Sequence, residues 1–381
     1  MANKQKIRKM FPGGITYQGF YSFYNYMIGP DARHIFVIKG GPGVGKSTFM
    51  KKIAQQLLEA GYEVEYHYCS SDNNSIDGVV IPELKVALLD GTAPHIVDPK
   101  NPGAVDEIIN LGEYWNETLV FQSKTEIFTC NQQVSRFFQA AYFALKDAKN
   151  AMDEWKFYVT PFQNWNEINK MYLKTEKEIL KKIPEGHGKV RRLFAWAHTP
   201  QGKCQYIDSL LNGIQTLYIL QGQPGTGKST FLTRIADRAS MLGLSVEYYH
   251  NPLDPEKLDM ILLPEIEIGL VIDSEPYPYT PDFKGTVVLL DFDKNLDQEL
   301  LQNYRSELSS CAERVNSCLE RALTNSKKAK EMHDRLETYY IPAMNFQAIE
   351  EKRLETLKRI INMAEEQTIA VSTRSPLIPK I

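Results

Sequence analysis

Apolar residues along the chain predict alternating strands and helices. Short apolar runs predict strands at 35–38, 63–68, 85–89 and about 105–111, and a similar series follows at 217–220, 245–249, 267–272 and about 286–290. Helical spacing follows the first strand of each series, over roughly 46–60 and 228–242, and a short helix is expected before it, around 19–28 and 204–212. Because a helix separates the strands, we expect parallel pairing and an α/β fold.

A long helical segment follows each set of strands. Apolar residues recur every three to four positions over 113–155 and 296–339, with charged residues between them. Pro161 and Pro342 interrupt the two runs, and a second helix extends to about 183 and 363. We therefore predict an antiparallel helical hairpin, here called an arm, at about 113–183 and again at about 296–366.

The two halves of the chain are repeats of one another. Residues 35–49 return at 217–231 with a shift of 182, and shifts of 181 and 183 align further segments on either side. This predicts one unit over 1–183 and a second over 184–381, joined by a turn-rich linker at 184–189 and ending in a short tail. We expect two α/β domains, each with a parallel sheet flanked by helices and one arm.

The strongest chemical signal is the pattern Gly-x4-Gly-Lys-Ser, a Walker A motif, which occurs once in each repeat. Its glycines let backbone N–H groups face phosphates, its lysine reaches the β and γ phosphates, and its serine binds Mg²⁺. Loop 1 comprises Gly40, Gly41, Pro42, Gly43, Val44, Gly45, Lys46, Ser47 and Thr48. Loop 2 comprises Gly222, Gln223, Pro224, Gly225, Thr226, Gly227, Lys228, Ser229 and Thr230. Both follow an apolar strand and open a helix, so we expect them to bind ATP.

A phosphate loop also needs an acid at the end of a neighbouring strand to hold Mg²⁺. Asp90 and Asp273 each follow four apolar residues and are the predicted acids. The alternative for both is a carboxylate that caps the next turn, and Asp291 with Asp293 is a rival in the second repeat. The predicted catalytic residues are thus Lys46, Asp90, Lys228 and Asp273, and the predicted metal ligands are Ser47, Asp90, Ser229 and Asp273.

Further polar residues recur in both repeats or stand near the predicted acids. The recurring carboxylates are Asp72 and Asp254, Asp77 and Asp259, and Glu83 and Glu265. They are candidates to orient an acceptor or a water, or else they are surface acids in turns. His95 with Asp98 would suit an acid–base pair in the first repeat, and Arg191 and Arg192 would suit a cation donated to loop 1. Simple surface charges are the alternative for both arginines.

Composition narrows the class of protein. The 381 residues are 43% hydrophobic and 11% aromatic, which indicates a folded protein, and a net charge of −3 gives no strong nucleic-acid signal. The sequence has neither a long apolar span nor a signal-peptide core, so we expect no membrane segment and a cytoplasmic location. The five cysteines form no zinc-type spacing and are expected to be free thiols.

With these motifs, the chain resembles the P-loop NTPase superfamily. More narrowly, residues 40–48 and the segment 89–95 resemble a poorly characterised group of bacterial tandem P-loop proteins, described as ATPases or as nucleotide-kinase-related. That resemblance covers the whole chain and implies a cytosolic ATP-binding protein without a defined substrate. The sequence lacks the Leu-Ser-Gly-Gly signature of ABC-type ATPases and the Asn-Lys-x-Asp motif of GTPases.

Three functions agree with the sequence. The first is a Mg²⁺-dependent ATPase whose hydrolysis moves the arms. The second is a kinase that transfers the γ-phosphate of ATP to a nucleotide or other small molecule. The third is a regulator that binds ATP without turnover and presents its arms to a protein partner. The phosphate loop defines the ligand in all three, and it leaves the reaction open.

Overall fold

The structure, a computed structural model, describes residues 6–93, 96–181, 183–184, 186 and 188–373, and side chains as far as residue 366. The predicted linker lies partly outside the described residues. The chain forms two compact units. The loop-2 unit comprises residues 1–27, 69–73 and 133–331, and the loop-1 unit comprises 28–68, 74–132 and 332–381. Each unit combines segments of both sequence repeats, and a division of the chain at residue 183 stays a prediction.

The strands and helices follow in chain order. The strands are β1 (Ile7–Met10), β2 (Gly13–Thr16), β3 (Gly19–Ser22), β4 (His34–Lys39), β5 (Val64–Cys69), β6 (Asp72–Ile81), β7 (Val86–Asp90), β8 (Asp106–Asn110), β9 (Val190–Leu193), β10 (Trp196–Thr199), β11 (Gly202–Gln205), β12 (Thr216–Gln221), β13 (Val246–His250), β14 (Leu258–Leu263), β15 (Ile268–Asp273) and β16 (Thr286–Asp291). The helices are α1 (Lys46–Glu59), α2 (Glu117–Gln122), α3 (Lys124–Val159), α4 (Trp165–Ile179), α5 (Ile207–Leu210), α6 (Lys228–Met241), α7 (Gln298–Leu301), α8 (Arg305–Tyr340) and α9 (Phe346–Thr373). Short 3-10 turns lie at Tyr24–Tyr26, Pro82–Leu84, Leu111–Tyr114, Thr160–Phe162, Pro264–Ile266, Asp293–Asn295, Gln302–Tyr304 and Ile341–Ala343.

The sheet of the loop-2 unit is mixed, whereas the sequence pattern predicts parallel pairing throughout. Its order is β16-β12-β15-β14-β13-β9. Strand β12 is parallel to β15 and β16, and β9 is parallel to β13. Strand β14, which the sequence analysis does not predict, is antiparallel to both of its neighbours. Short connections on either side of β14 require this arrangement, because only antiparallel strands can be joined without a long crossover.

The loop-1 unit repeats the same arrangement around β4. The strands β5, β6, β7, β4 and β8 lie side by side in that order. Strand β4 is parallel to β7 and β8, while β6 is antiparallel to β7. Strand β6, like β14, is missing from the elements that the sequence predicts.

Two hairpins stand where the sequence predicts short helices. Strand β2 pairs with β3, and β10 pairs with β11, both antiparallel. Gly19 (φ +105°) and Gly202 (φ +101°) supply the left-handed residue of each turn. The prediction of helix over 19–28 and 204–212 is therefore wrong in its first half. Helical backbone is confined to the 3-10 turn after β3 and to α5.

Both arms break at the predicted prolines. Helix α3 ends before the 3-10 turn that contains Pro161, and α8 ends before the turn that contains Pro342. Asn164 then caps α4 by accepting a hydrogen bond from the backbone N–H of Glu167. Asn345 caps α9 in the same way, through the N–H of Ala348. Proline lacks the N–H that would continue each long helix, and the asparagine starts the next one.

Each arm packs its second helix against the sheet of the other repeat. Buried Ile168, Tyr172 and Ile179 of α4 join a core with residues of α6 and of the sheet that contains β12. Buried residues of α9, including Ile349 and Ile360, join the core around α1 and β4. Burial of one such isoleucine stabilises the fold by about 1.5–3 kcal/mol. The sequence periodicity predicts the arms, but it contains no information on which sheet each arm covers.

Candidate functional site

Loop 2 connects β12 to α6. The strand ends at Gln221, and the helix begins at Lys228. Between them, Gly225 (φ +93°) and Gly227 (φ +94°) adopt left-handed backbone, which a side chain would strain. This curl is the geometry that the glycine spacing predicts.

Lys228 is turned back onto its own loop. Its Nζ atom donates to the carbonyl oxygen of Gly222 at 2.5 Å, to that of Gln223 at 2.7 Å and to Oγ1 of Thr226 at 3.1 Å. Burial lowers the pKa of Lys228 to about 8, against the opposing effect of nearby carboxylates, first Asp293. The loop therefore holds a buried ammonium group whose partners are neutral dipoles, and an anionic ligand would stabilise its charged form.

The predicted acid of the second repeat lies beside the start of loop 2. Asp273 ends β15 and stands opposite Gln221 in the parallel ladder. Its carboxylate accepts hydrogen bonds from the N–H of Tyr279 at 2.9 Å and from Nε2 of Gln221 at 3.1 Å. Ser229 begins α6, and its Oγ accepts a hydrogen bond from the N–H of Leu258 at 3.3 Å.

The rival acid Asp293 also contacts the loop. Its Oδ1 accepts a hydrogen bond from the N–H of Gln223 at 3.0 Å. A Cβ atom placed on Gly222 would lie 2.9 Å from the same oxygen, so a glycine is needed at that position. Asp291 accepts from the N–H of Asp293 at 3.0 Å and so closes the turn that presents it.

A cavity of about 360 Å³ opens beside loop 2. Loop residues from Pro224 to Thr230 form one wall, and the predicted carboxylates Asp254 and Asp259 lie on another. Lys156, Trp165, Trp196 and Tyr277 are among the other residues that line it. The cavity belongs entirely to the loop-2 unit, and it combines cationic, acidic and aromatic groups next to the buried Lys228.

Two partly buried ionisable groups, Asp259 and Lys203, also line this cavity. Asp259 accepts hydrogen bonds from Nδ2 of Asn251 at 2.9 and 3.0 Å and from Nε1 of Trp196 at 2.9 Å. Its enclosure by protein raises the pKa of Asp259, while burial lowers the pKa of Lys203. The Nζ atom of Lys203 lies 5.3 Å from the ring centre of Trp196 and 5.4 Å from that of Tyr277. Such oppositely charged, partly desolvated groups are typical of functional sites.

The arm of the first repeat lies directly on loop 2. Oγ1 of Thr160 donates to the carbonyl oxygen of Gly225 at 3.1 Å. Nε2 of buried Gln163 donates to the carbonyl of Thr226 at 3.0 Å. A Cβ atom on Gly225 would lie 3.0 Å from Cα of Lys156. The break in the arm thus forms one side of the loop.

Loop 1 has the same internal geometry. Nζ of Lys46 donates to the carbonyl oxygens of Gly40 at 3.0 Å and Gly41 at 2.9 Å, and it lies 3.7 Å from Oδ2 of Asp90. Oγ of Ser47 accepts from the N–H of Ile76 at 3.1 Å. The structure therefore brings the lysine and the acid predicted for the first repeat together.

Asp90 also has the turn contact that the alternative interpretation requires. Its Oδ1 accepts a hydrogen bond from the N–H of Thr92 at 2.9 Å and another from its Oγ1 at 2.5 Å. Because Oδ2 of the same carboxylate faces Lys46, the two roles of Asp90 do not exclude one another.

The arm of the second repeat covers loop 1 with a different set of side chains. A Cβ atom on Gly43 would lie 3.0 Å from Cγ1 of Ile341 and 3.2 Å from Cβ of Glu337. A Cβ atom on Gly41 would lie 3.1 Å from the ring of Tyr340. The residues that cover loop 1 are mainly apolar, and Glu337 contributes its Cβ atom and backbone carbonyl to this contact.

Other predicted residues lie elsewhere. Glu265 accepts a hydrogen bond from the N–H of Ser245 at 3.1 Å, which is a turn contact. Arg191 donates to the carbonyl of Met27 at 2.9 Å. The guanidinium of Arg192 lies 4.5 Å from the ring centre of Tyr248. These contacts within the loop-2 unit place both arginines without involving a phosphate loop.

Two of the remaining candidates in the first repeat form ion pairs with lysines. Oδ1 of Asp98 pairs with Nζ of Lys39 at 2.9 Å, and Oδ2 of Asp72 pairs with Nζ of Lys330 at 3.6 Å. Asp77 is buried. His95 lies outside the described residues.

Among the residues that the structure describes, one cluster of side chains could hold a metal ion. His333, Asp334 and Glu337 of α8 each offer one ligand atom, and these atoms lie within 4.8 Å of one another. The sequence analysis does not predict this group. No described helix combines the length and apolar character that crossing a membrane requires.

Comparison with known proteins adds one local similarity. A family model described as "Nephrocystin 3, N-terminal" matches residues 21–80, the segment that contains β4, loop 1, α1 and β5. No curated protein and no solved structure matches the chain. The similarity covers a small part of the chain and does not assign it to that family.

Proposed function

We propose that the chain is a P-loop NTPase that binds ATP with Mg²⁺ at its glycine loops and hydrolyses it. The observation that carries this proposal is the pair of lysines, Lys46 and Lys228, each folded onto the first two carbonyls of its loop beside a strand-end aspartate. We also propose that the chain belongs to the group of bacterial tandem P-loop proteins that its motifs resemble, and that it is cytoplasmic.

In this proposal each loop residue has a separate task. The N–H groups of loop 2 and of the first turn of α6 bind phosphate oxygens, and Lys228 leaves its carbonyl partners to pair with them. Ser229 and Asp273 would hold Mg²⁺, as Ser47 and Asp90 would in loop 1. The bound ion supplies charge neutralisation at the phosphate oxygens.

The contacts between arm and loop support the coupling of hydrolysis to movement of the arms. Gln163 and Thr160 donate hydrogen bonds to carbonyls of loop 2, so a change in loop conformation changes the position of the break in the arm. Farther along α3, Phe143 and Phe157 expose 62% and 70% of their surface. Aromatic side chains are enriched at protein interfaces, so these two would contribute contacts to a protein partner on this helix.

A kinase is the second candidate, and the cavity beside loop 2 favours it. Asp259 and Lys203 line the cavity beside loop 2, where an acceptor would bind. A carboxylate with a raised pKa is suited to accept the proton of an acceptor hydroxyl while that oxygen attacks the γ-phosphorus. The third function, ATP binding without turnover, is one outcome of the experiment.

The test is release of ADP and of phosphate from ATP with Mg²⁺ by the full chain. We expect hydrolysis that falls about a hundredfold or more in Lys228→Ala, while the exposed Lys170→Ala control retains it. Formation of ADP only after a small-molecule acceptor is added would favour the kinase. Tight ATP binding without turnover would favour the regulator, and failure to bind ATP would contradict all three functions.

A further inference from the structure

We propose that the two loops take different nucleotides, an inference that rests on the proposed nucleotide binding. Loop 2 binds a nucleoside triphosphate and hydrolyses it with Lys156 as an arm-supplied cation. Loop 1 holds a nucleoside diphosphate beside Glu337 and does not turn over. This assigns catalysis to one loop and a ligand class to the other.

Lys156 and Glu337 occupy equivalent places. They coincide under the 181-residue shift that aligns the arms. A Cβ atom on Gly225, the fourth residue of loop 2, would lie 3.0 Å from Cα of Lys156. A Cβ atom on Gly43, the fourth residue of loop 1, would lie 3.2 Å from Cβ of Glu337. The arm therefore approaches the same point of each loop at a lysine in one unit and at a glutamate in the other.

The ammonium group of Lys156 is available to a ligand at loop 2. Lys156 lines the cavity, and its charge acts on Lys228 and Asp259. Its ion-pair partner is Asp153 at 3.3 Å, three residues earlier on the same helix, and both side chains are partly exposed. Exposed pairs of this kind are weak, so a phosphate can compete for Lys156.

During hydrolysis the oxygen of water forms a bond to the γ-phosphorus, and the bond from that phosphorus to the β–γ bridging oxygen breaks. ADP leaves with the electron pair, and the proton of the water passes to the phosphate product. A cation placed beside the loop stabilises the charge that develops on the departing oxygen and on the γ-phosphoryl oxygens. Lys156 is in the part of the cavity where it can perform this task.

Glu337 has the opposite effect at loop 1. A triphosphate carries more negative charge than a diphosphate, and a carboxylate beside the loop repels the additional charge. The carboxylate of Glu337 lies 3.7 Å from Nδ1 of His333 on the same helix. Ile341 contacts the same glycine of loop 1, Gly43.

Two further residues of the first arm that contact loop 2 have apolar counterparts in the second arm. Thr160 and Gln163, which donate to loop 2, align with Ile341 and Met344 in the second arm. The polar groups that contact the backbone of loop 2 are thus replaced by apolar side chains. Two further positions of the arms thus agree with unequal loops.

The binding experiment isolates each loop in the full chain. In Lys228→Ala only loop 1 keeps its lysine, and in Lys46→Ala only loop 2 does. Each variant is titrated with Mg²⁺·ADP and with the Mg²⁺ complex of a non-hydrolysable ATP analogue. We expect loop 1 to prefer ADP by about tenfold, and loop 2 to show no such preference. Adding Glu337→Lys to the Lys228→Ala chain should abolish the preference for ADP. Glu331→Lys, an exposed charge change on the same helix, should leave it in place.

The turnover experiment addresses Lys156. In the Lys46→Ala chain we expect Lys156→Gln to lower kcat for ATP hydrolysis by about a hundredfold, with little change in affinity for the analogue. Lys156→Arg should restore most of the rate, which a merely structural role of the side chain would not require. Thermal melts confirm that each variant is folded.

The outcomes separate this inference from the proposed function. Equal affinity of loop 1 for the two nucleotides, or full turnover in Lys156→Gln, overturns the inference while nucleotide binding stands. Hydrolysis that persists in Lys228→Ala and disappears in Lys46→Ala also overturns it, because loop 1 would then be the catalytic loop. Absence of nucleotide binding at both loops overturns the proposed function, and the inference with it.

Discussion

The indole ring of Trp165 packs on Gly227, the residue that immediately precedes the lysine of loop 2. A Cβ atom at Gly227 would lie 2.7 Å from Cζ3 of that ring. Trp165 is the first residue of α4, so a side chain of the first repeat covers a loop of the second. The equivalent pair in the loop-1 unit is looser, because a Cβ atom on Gly45 would lie 3.7 Å from Cε1 of Phe346.

Because the two contacts differ, we expect a glycine-to-alanine substitution to reduce the free energy of unfolding by different amounts in the two loops. Gly227→Ala and Gly45→Ala both force a side chain into left-handed backbone, at φ +94° and +89°, which costs about 1–2 kcal/mol each. Gly227→Ala also displaces the ring of Trp165, so we expect it to reduce the free energy of unfolding by about 1 kcal/mol more. Chemical denaturation of the two variants measures this difference.

A double variant provides the control. Trp165→Ala removes the clashing ring, so Gly227→Ala should cost less in that background than in the wild type. An equal cost in both backgrounds would show that the contact with Trp165 is not what separates the two glycines.

A second prediction concerns the buried side chain of Gln163, at the break of the first arm. Its Nε2 donates to the carbonyls of Thr226 at 3.0 Å and Phe292 at 3.2 Å. Gln163→Met, which copies the residue of the second arm, removes the donor at nearly constant volume and leaves both carbonyls without it. We expect a loss of about 1–3 kcal/mol in the free energy of unfolding and weaker ATP binding at loop 2.

Gln302→Met is the matched control, because Gln302 is exposed in the same unit. It should change neither quantity by more than about 0.5 kcal/mol. A Gln163→Met chain with unchanged stability and unchanged nucleotide affinity would contradict the role assigned to this side chain.

Local patterns explain what the sequence predicts correctly about the fold. Strands around the loops, the breaks at Pro161 and Pro342, and helix starts at Lys46 and Lys228 follow from short-range periodicity and backbone chemistry. Strand β14 was missed because the acids near its start, such as Asp254 and Asp259, resemble a loop in composition. The hairpins before β4 and β12 stand where the apolar pattern predicts helices, although Gly19 and Gly202 supply a turn signal.

The contacts of the candidate site depend on tertiary structure. Lys156 lies 69 positions before Gly225 in the numbering of the sequence, on a helix whose charges indicate only a solvated face. Its position beside loop 2 follows from the exchange of arms between repeats, which no local spacing encodes. Comparison of the repeats at these aligned positions shows the change from Lys156 to Glu337, but its meaning requires the fold.

Asp259 distinguishes the two candidate reactions. If a small-molecule hydroxyl is the acceptor, Asp259→Asn removes the group that accepts its proton, and acceptor-dependent formation of ADP should fall about a hundredfold. Release of phosphate to water and affinity for ATP should change little. Asp77→Asn is the matched control, because Asp77 is the equivalent carboxylate of the first repeat. Equal loss of both activities in Asp259→Asn would mean that Asp259 serves the attacking water, which would remove the support for a kinase.

Lys228 predicts a pH dependence of stability in the unliganded protein. Burial lowers its pKa from 10.5 to about 8, so between these values the unfolded chain binds more protons at this position than the folded chain. The free energy of unfolding therefore rises with pH across that window, by up to about 3 kcal/mol from this group. Lys228→Met lacks the titrating group, so the wild type should gain stability relative to this variant from pH 8 to pH 10.

Chemical denaturation of both proteins at several pH values measures the difference, in which other titrating groups largely cancel. Saturating Mg²⁺·ATP analogue should remove the effect, because the phosphates stabilise the charged form of Lys228 and raise its pKa toward the unfolded value. A constant difference between wild type and Lys228→Met from pH 7 to pH 10 would show that the folded protein does not hold Lys228 in the desolvated position from which its role in anion binding is argued.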